Sequence, residues 1–131
     1  MAARVSAMRR DRLPANIVLH HRNELHLTPA QVKALNALVP AEAEADRARM
    51  ERMLARSRAN MAPSSLVMKT MRSWSAPIDE AALRADARQR AEFQVRELIE
   101  AARERRVVGA VLAPAQRATL ETLEGRPAVR P

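Results

Sequence analysis

Apolar residues recur along most of this chain at a helical spacing. Val32, Leu35, Val39, Met50, Met53, Leu54 and Met61 follow a period near 3.6, with Ala43 continuing the stripe. A second series, Leu83, Ala87, Ala91, Val95, Leu98 and Ala102 with Ile99 beside it, reads as the seam of another long helix. Shorter runs flank these two. Pro14 opens a helix to about Leu25 carrying Ile17, Val18, His21 and Leu25, and Val67, Met71 and Trp74 fall at i, i+4, i+7 after Pro63. Leu120 and Leu123 mark a last short helix that begins at Pro114.

Helix signals bound these segments. At Leu27-Thr28-Pro29-Ala30-Gln31-Val32, Thr28 is placed as N-cap for the Gln31 N–H, and the Gln31 side chain reaches back to the Thr28 N–H. Pro29 occupies the first helical position, and Leu27 with Val32 fits a hydrophobic staple. The long helix that follows carries Pro40, which predicts a kink over 36–40, and continues to about Asn60, roughly 45 Å at about 1.5 Å per residue. Ser64 or Ser65 caps the next helix, Asp79 caps the second long one from Glu80 to about Val108, and Gly109 loosens its end. Leu112-Ala113-Pro114-Ala115-Gln116 echoes the first start, but Ala113 offers no side-chain cap, which makes this start softer by about 1 kcal/mol. Residues 1–13 read as a flexible basic arm, 14–124 as one helical domain and 125–131 as a disordered tail.

Composition sharpens the picture. Trp74 and Phe93 are the only aromatics, tyrosine and cysteine are absent, and there are only two glycines. That mix favours helices and gives a thin core of Ala, Leu, Val and Met, so the fold class is all-α, with elongated helices sharing a narrow seam. One thin layer buries little surface, which implies self-association or an exposed apolar face. Without cysteine there is no disulfide, thiolate nucleophile or thiolate metal site. No segment has the length of an apolar membrane span, and the basic start lacks the apolar stretch of a signal peptide.

The net charge of +8 raises nucleic acid as a partner. Basic residues are, however, interleaved with acids, and no nucleic-acid-binding motif is present, so no specific nucleic acid is expected. Phosphate-loop, nucleophile-elbow and His-Glu-x-x-His sequences are also absent, and Glu42, Glu44 and Asp46 read as a solvated helix face rather than an acid/base pair. The chain is not expected to be an enzyme or to need a cofactor. His20, His21 and His26 cluster with Glu24, and His20 and Glu24 share a helix face, the one arrangement that suggests a metal. Imidazole with carboxylate would favour Zn or Ni, and methionine sulfur Cu.

The order of parts resembles the LTxxQ family of small periplasmic stress proteins, which includes the Spy and CpxP chaperones and, more distantly, zinc-binding and nickel/cobalt-sensing relatives. The resemblance rests on Leu27, Thr28, Pro29 and Gln31 at one end and Leu112, Pro114 and Gln116 at the other, and covers residues 25–123. It implies a helical hairpin that pairs into a curved, cradle-like homodimer in the periplasm. It further implies an ATP-independent holdase or stress adaptor that holds unfolded polypeptide on a basic, apolar face, with a membrane signalling protein as a further partner. Arg47, Met50, Met53, Arg56, Met61, Met68 and Met71 are the client-binding candidates, since methionine adapts to varied apolar partners and arginine adds long-range attraction. A periplasmic metal-binding or metal-sensing protein using His20, His21, Glu24 and His26 is the alternative.

Overall fold

The structure, a computed structural model, describes residues 9–125, and all its regular secondary structure is helical. Among the described residues, five helices follow one another from Pro14 onward: α1 (Pro14–His20), α2 (Pro29–Met61), α3 (Leu66–Arg72), α4 (Glu80–Gly109) and α5 (Pro114–Glu124). The two long helices, α2 and α4, form the hairpin expected from the two apolar series. Two compact units divide the chain, one of Met1–Asp46 with Ala102–Pro131 and one of Arg47–Ala101. Both long helices run through both units.

The first unit holds all the burial. Ala15, Val18, Leu25, Leu35, Val108 and Leu112 form its core, with Leu19, Leu27, Leu38, Val39, Val111, Leu120 and Leu123 packed against it. These side chains come from α1, α2, α4 and α5, so four helical pieces share one small cluster. The end of α4 is closed by α5: Arg117 donates to the Gly109 and Leu112 carbonyls at 3.0 and 2.8 Å. Arg105 adds a two-pronged bond to Glu124 at 2.7 and 2.9 Å.

Three features depart from the sequence reading. α1 ends at His20 instead of near Leu25, and a turn follows in which His26 takes φ 52°. Histidine tolerates this left-handed conformation better than branched residues do, and neither Gly nor Pro marks the spot. The turn returns Leu25 to the core, where it is buried. Residues 1–8 of the expected flexible arm and 126–131 of the expected tail lie outside the described residues. Arg9–Leu13 is engaged: Arg9 bonds Asp46 at 2.8 Å, the Arg10 carbonyl accepts from Asn16, and Leu13 is buried. Pro40 sits inside α2, which continues past it to Met61 as the sequence reading had it.

The third departure is Glu42. It was read as solvated but is only 7% exposed, and both its carboxylate oxygens accept the Ala15 N–H at 3.2 and 3.1 Å. The reason lies in α1. Its N-cap is Leu13, which has no side-chain acceptor, and its first residue, Pro14, has no N–H, so Ala15 presents an orphan donor. Glu42 supplies the missing acceptor from α2. Burial raises the Glu42 pKa above 4.5 against the lowering effect of that hydrogen bond, and the nearby Glu104 charge adds to the rise.

A raised carboxylate pKa gives stability that is full below the unfolded value and is lost as pH rises through the folded one. Glu97 of the second unit behaves oppositely, because hydrogen bonding to Arg52 lowers its pKa from 4.5. Its contribution is present above the unfolded pKa and is lost as pH falls through the folded value. We therefore expect Glu42→Gln to gain stability relative to wild type as pH rises from about 4 to about 7. Glu97→Gln should lose ground to wild type as pH rises through the acid range. Urea unfolding of the three proteins across that range checks both slopes, and parallel profiles would contradict the assignment.

Candidate functional site

Two places stand out, one in each unit. In the first, the two motif glutamines meet across 85 positions of sequence. Gln31 Nε2 donates to Gln116 Oε1 at 2.7 Å, and Gln116 Nε2 donates to Gln31 Oε1 at 3.1 Å. Each amide also closes its own helix start: Gln31 Oε1 accepts the Thr28 N–H at 3.0 Å, and Gln116 Oε1 accepts the Ala113 N–H at 2.9 Å. The second proton of each side chain goes to the other motif's approach segment, from Gln31 to the Val111 carbonyl and from Gln116 to the Leu25 carbonyl, at 3.2 and 3.1 Å. A primary amide has two donors and two acceptor positions, and all eight groups of this pair are used.

The two starts differ as the residues require. Thr28 Oγ1 accepts the Gln31 N–H at 3.1 Å, which completes the reciprocal box. Ala113 has no such atom, so its box is half made, with Pro114 at the first helical position. Leu27 is half-buried against the core and Leu112 is fully inside it.

A family model for LTXXQ motif family proteins matches residues 18–124. The chain belongs to the LTXXQ motif family. None of the curated proteins and none of the solved structures matches it. The matched span contains both glutamines, both approach segments and the whole of the second unit.

The second place is Arg47–Ala101, where the usual polarity is reversed. No residue in it is buried. Polar contacts join α2 and α4 here: Arg52 bonds Glu97 at 2.9 and 3.1 Å and Glu100 at 2.9 Å, and Arg49 lies 3.6 Å from Glu97. Arg56 stacks its guanidinium 5.1 Å from the centre of the Phe93 ring. Since the partner number falls from 97 to 93 as 52 rises to 56, the helices run antiparallel. Met50, Met53, Leu54 and Met61 on α2 and Val95, Leu98 and Ile99 on α4 are all exposed, Leu98 to 63%.

This corrects the reading of the α4 seam. Val95 and Leu98 were expected to face the partner helix, and instead Phe93, Glu97 and Glu100 do. Arginine decides it, because Arg49, Arg52 and Arg56 of α2 meet Glu97, Glu100 and Phe93 while Met50, Met53 and Leu54 stay exposed. Of the client-binding candidates, Arg47, Met50, Met53, Met61 and Met71 are exposed, Met68 is half-buried, and Arg56 is held over Phe93. Glu97, Glu100 and Phe93 were not singled out as site residues from sequence. Their i, i+3 and i, i+7 spacings were visible, but so were many others.

Ser65 caps α3 through the Met68 N–H at 3.2 Å, and Asp79 caps α4 through the Ala82 N–H at 3.0 Å, as their positions predict. The four metal candidates do not converge. His21 Nδ1 lies 3.3 Å from Glu24 Oε1, His20 and His21 meet edge to face, and His26 is beyond the turn. Among the described residues no group of three His, Asp or Glu side chains is placed to hold a metal ion.

Gln31→Ala and Gln116→Ala each strand backbone groups at both helix starts and should each cost roughly 2 kcal/mol of unfolding free energy. Because each removes the other's partner, the double variant should cost less than their sum by about 1 kcal/mol. A double-mutant cycle by urea denaturation measures this, and strictly additive losses would show that the amide pair carries no coupling.

Proposed function

We propose that this protein is an ATP-independent holdase or stress-response adaptor of the periplasm, working as a homodimer and binding unfolded polypeptide through Arg47–Ala101. LTXXQ members are typically secreted to the periplasm, and the all-helical hairpin fits the family. The observation that carries the reading is the reversed polarity of the second unit. Met50, Met53, Leu54 and Met61 stand in water beside arginines while the contacts between the helices are made by charge.

Such a surface suits loosely structured clients. Methionine is unbranched and polarisable, so it adapts to chains without a fixed shape. Arginines attract at long range, and their stems add apolar contact. A homodimer covers part of the apolar surface in this reading and leaves the remainder to clients. Nothing in it uses ATP: no Gly-rich phosphate loop occurs in the sequence.

Light scattering of a heat- or denaturant-unfolded client tests the proposal. Near-stoichiometric protein should suppress aggregation, high salt should weaken the effect, and Met53→Ser with Leu54→Ser should reduce it several-fold without changing helicity. No suppression at several-fold excess would refute it. Sedimentation at a range of concentrations reads the dimer separately.

A further inference from the structure

The connection between α3 and α4 carries the most exposed aromatic that a chain can present. Trp74, the only tryptophan, is 102% exposed, and Met71 and Ile78 beside it are 77% and 69% exposed. Its position was read from sequence as the last apolar position of the short helix, but α3 stops at Arg72 and Trp74 lies beyond it. The turn that carries it is organised. Ser73 closes α3 through its N–H to the Lys69 carbonyl at 3.2 Å, and its hydroxyl accepts the Ala76 N–H at 2.9 Å and the Ser75 N–H at 3.4 Å. Local hydrogen bonds thus fix the backbone on either side of Trp74 while the indole packs on nothing.

Charge supplies the second observation. Residues 52–78 contain no aspartate or glutamate, and their charged residues are Arg52, Arg56, Arg58, Lys69 and Arg72. Lys69 and Arg72, in the last turn of α3, are exposed, and neither meets a carboxylate among the described residues. Asp79, the next acid along, is held at the α4 cap, and Glu80 lies 3.6 Å from Arg84. The exposed segment therefore pairs Trp, Met and Ile with lysine and arginine, and the next acids along the chain, Asp79 and Glu80, are engaged at the α4 cap and with Arg84.

We propose that 66–78 docks on the surface of an anionic lipid bilayer, with Trp74, Met71 and Ile78 entering the headgroup boundary and Lys69 and Arg72 facing lipid phosphates. Tryptophan suits that boundary because its body is apolar and its N–H remains able to bond. No helix is long and apolar enough to cross a membrane among the described residues, so the contact is interfacial. It lies within Arg47–Ala101 and shares Met71 with the client-binding candidates, but it centres on the turn after α3 and not on the methionine stripe of α2.

Trp74 is its own probe. In vesicles containing phosphatidylglycerol, its emission should shift to shorter wavelength and resist a soluble quencher, whereas phosphatidylcholine vesicles should do neither. Lys69→Glu with Arg72→Glu should lower partitioning at least about 25-fold, roughly fivefold per removed charge, and high salt should lower it as well. Circular dichroism of that variant confirms that its helices persist, and Trp74→Ser followed by vesicle co-sedimentation gives a second readout without the fluorophore. Three results would overturn the proposal: no shift at saturating anionic lipid, an equal shift in the charge-reversed variant, or a shift produced by an unfolded polypeptide or by rising protein concentration but not by lipid.

Discussion

Two primary amides meeting face to face tie together the two ends of the chain that build the first unit. A capping box alone accepts either Glu or Gln at its third position, because capping requires only an acceptor. Gln31 and Gln116 must also give two protons each, one to each other and one to a carbonyl across the unit. A glutamate there would cap equally well but would put two carboxylates together and leave the Leu25 and Val111 carbonyls without donors. An asparagine keeps the chemistry but is one methylene shorter. The requirement for glutamine in both copies thus comes from the cross-pair and not from either helix start.

That pair also explains how a core of six buried apolar residues suffices. Chain segments far apart in sequence are fixed by directional bonds at the same place where Leu25, Leu35, Val108 and Leu112 pack. Polar networks of this kind hold a unique arrangement only when fully satisfied, and this one is. Glu42 shows the contrasting case. It satisfies the start of α1 but carries its charge into a buried place beside Glu104, so the same carboxylate serves the local structure and strains its ionisation.

The sequence displayed the elements well where local chemistry decides. Thr28, Ser65 and Asp79 cap as their positions require, and Pro29 and Pro114 open their helices. It misled where a tertiary partner decides. The period of Val95 and Leu98 was correctly helical, yet period alone says which residues share a face and not what that face meets. Arg49, Arg52 and Arg56 claimed the α4 side that carries Phe93, Glu97 and Glu100, and the apolar series was left outside. Glu42 was misread for a similar reason, since its acceptor role is set by Leu13 and Pro14 on another helix. The turn through His26 has no glycine to announce it. The glutamines were each read as ending their work locally, because nothing in either motif points to the other.

A helical segment can leave apolar side chains in water only if something other than burial keeps it helical. In Arg47–Ala101 that role falls to local terms. Alanine, arginine, leucine, glutamate and methionine dominate both strands of the hairpin there, residues that lose little on entering a helix. Arg84 with Glu80, Arg90 with Asp86 and Arg96 with Glu92 add i, i+4 pairs along α4. Each such pair is worth a few tenths of a kcal/mol, so none holds the unit alone, but together with the propensities they remove the need for a buried seam. The consequence is functional. Because helicity in the second unit does not draw on the burial of its methionines and leucines, those side chains are free to be covered by something else, and substituting them should alter binding far more than folding.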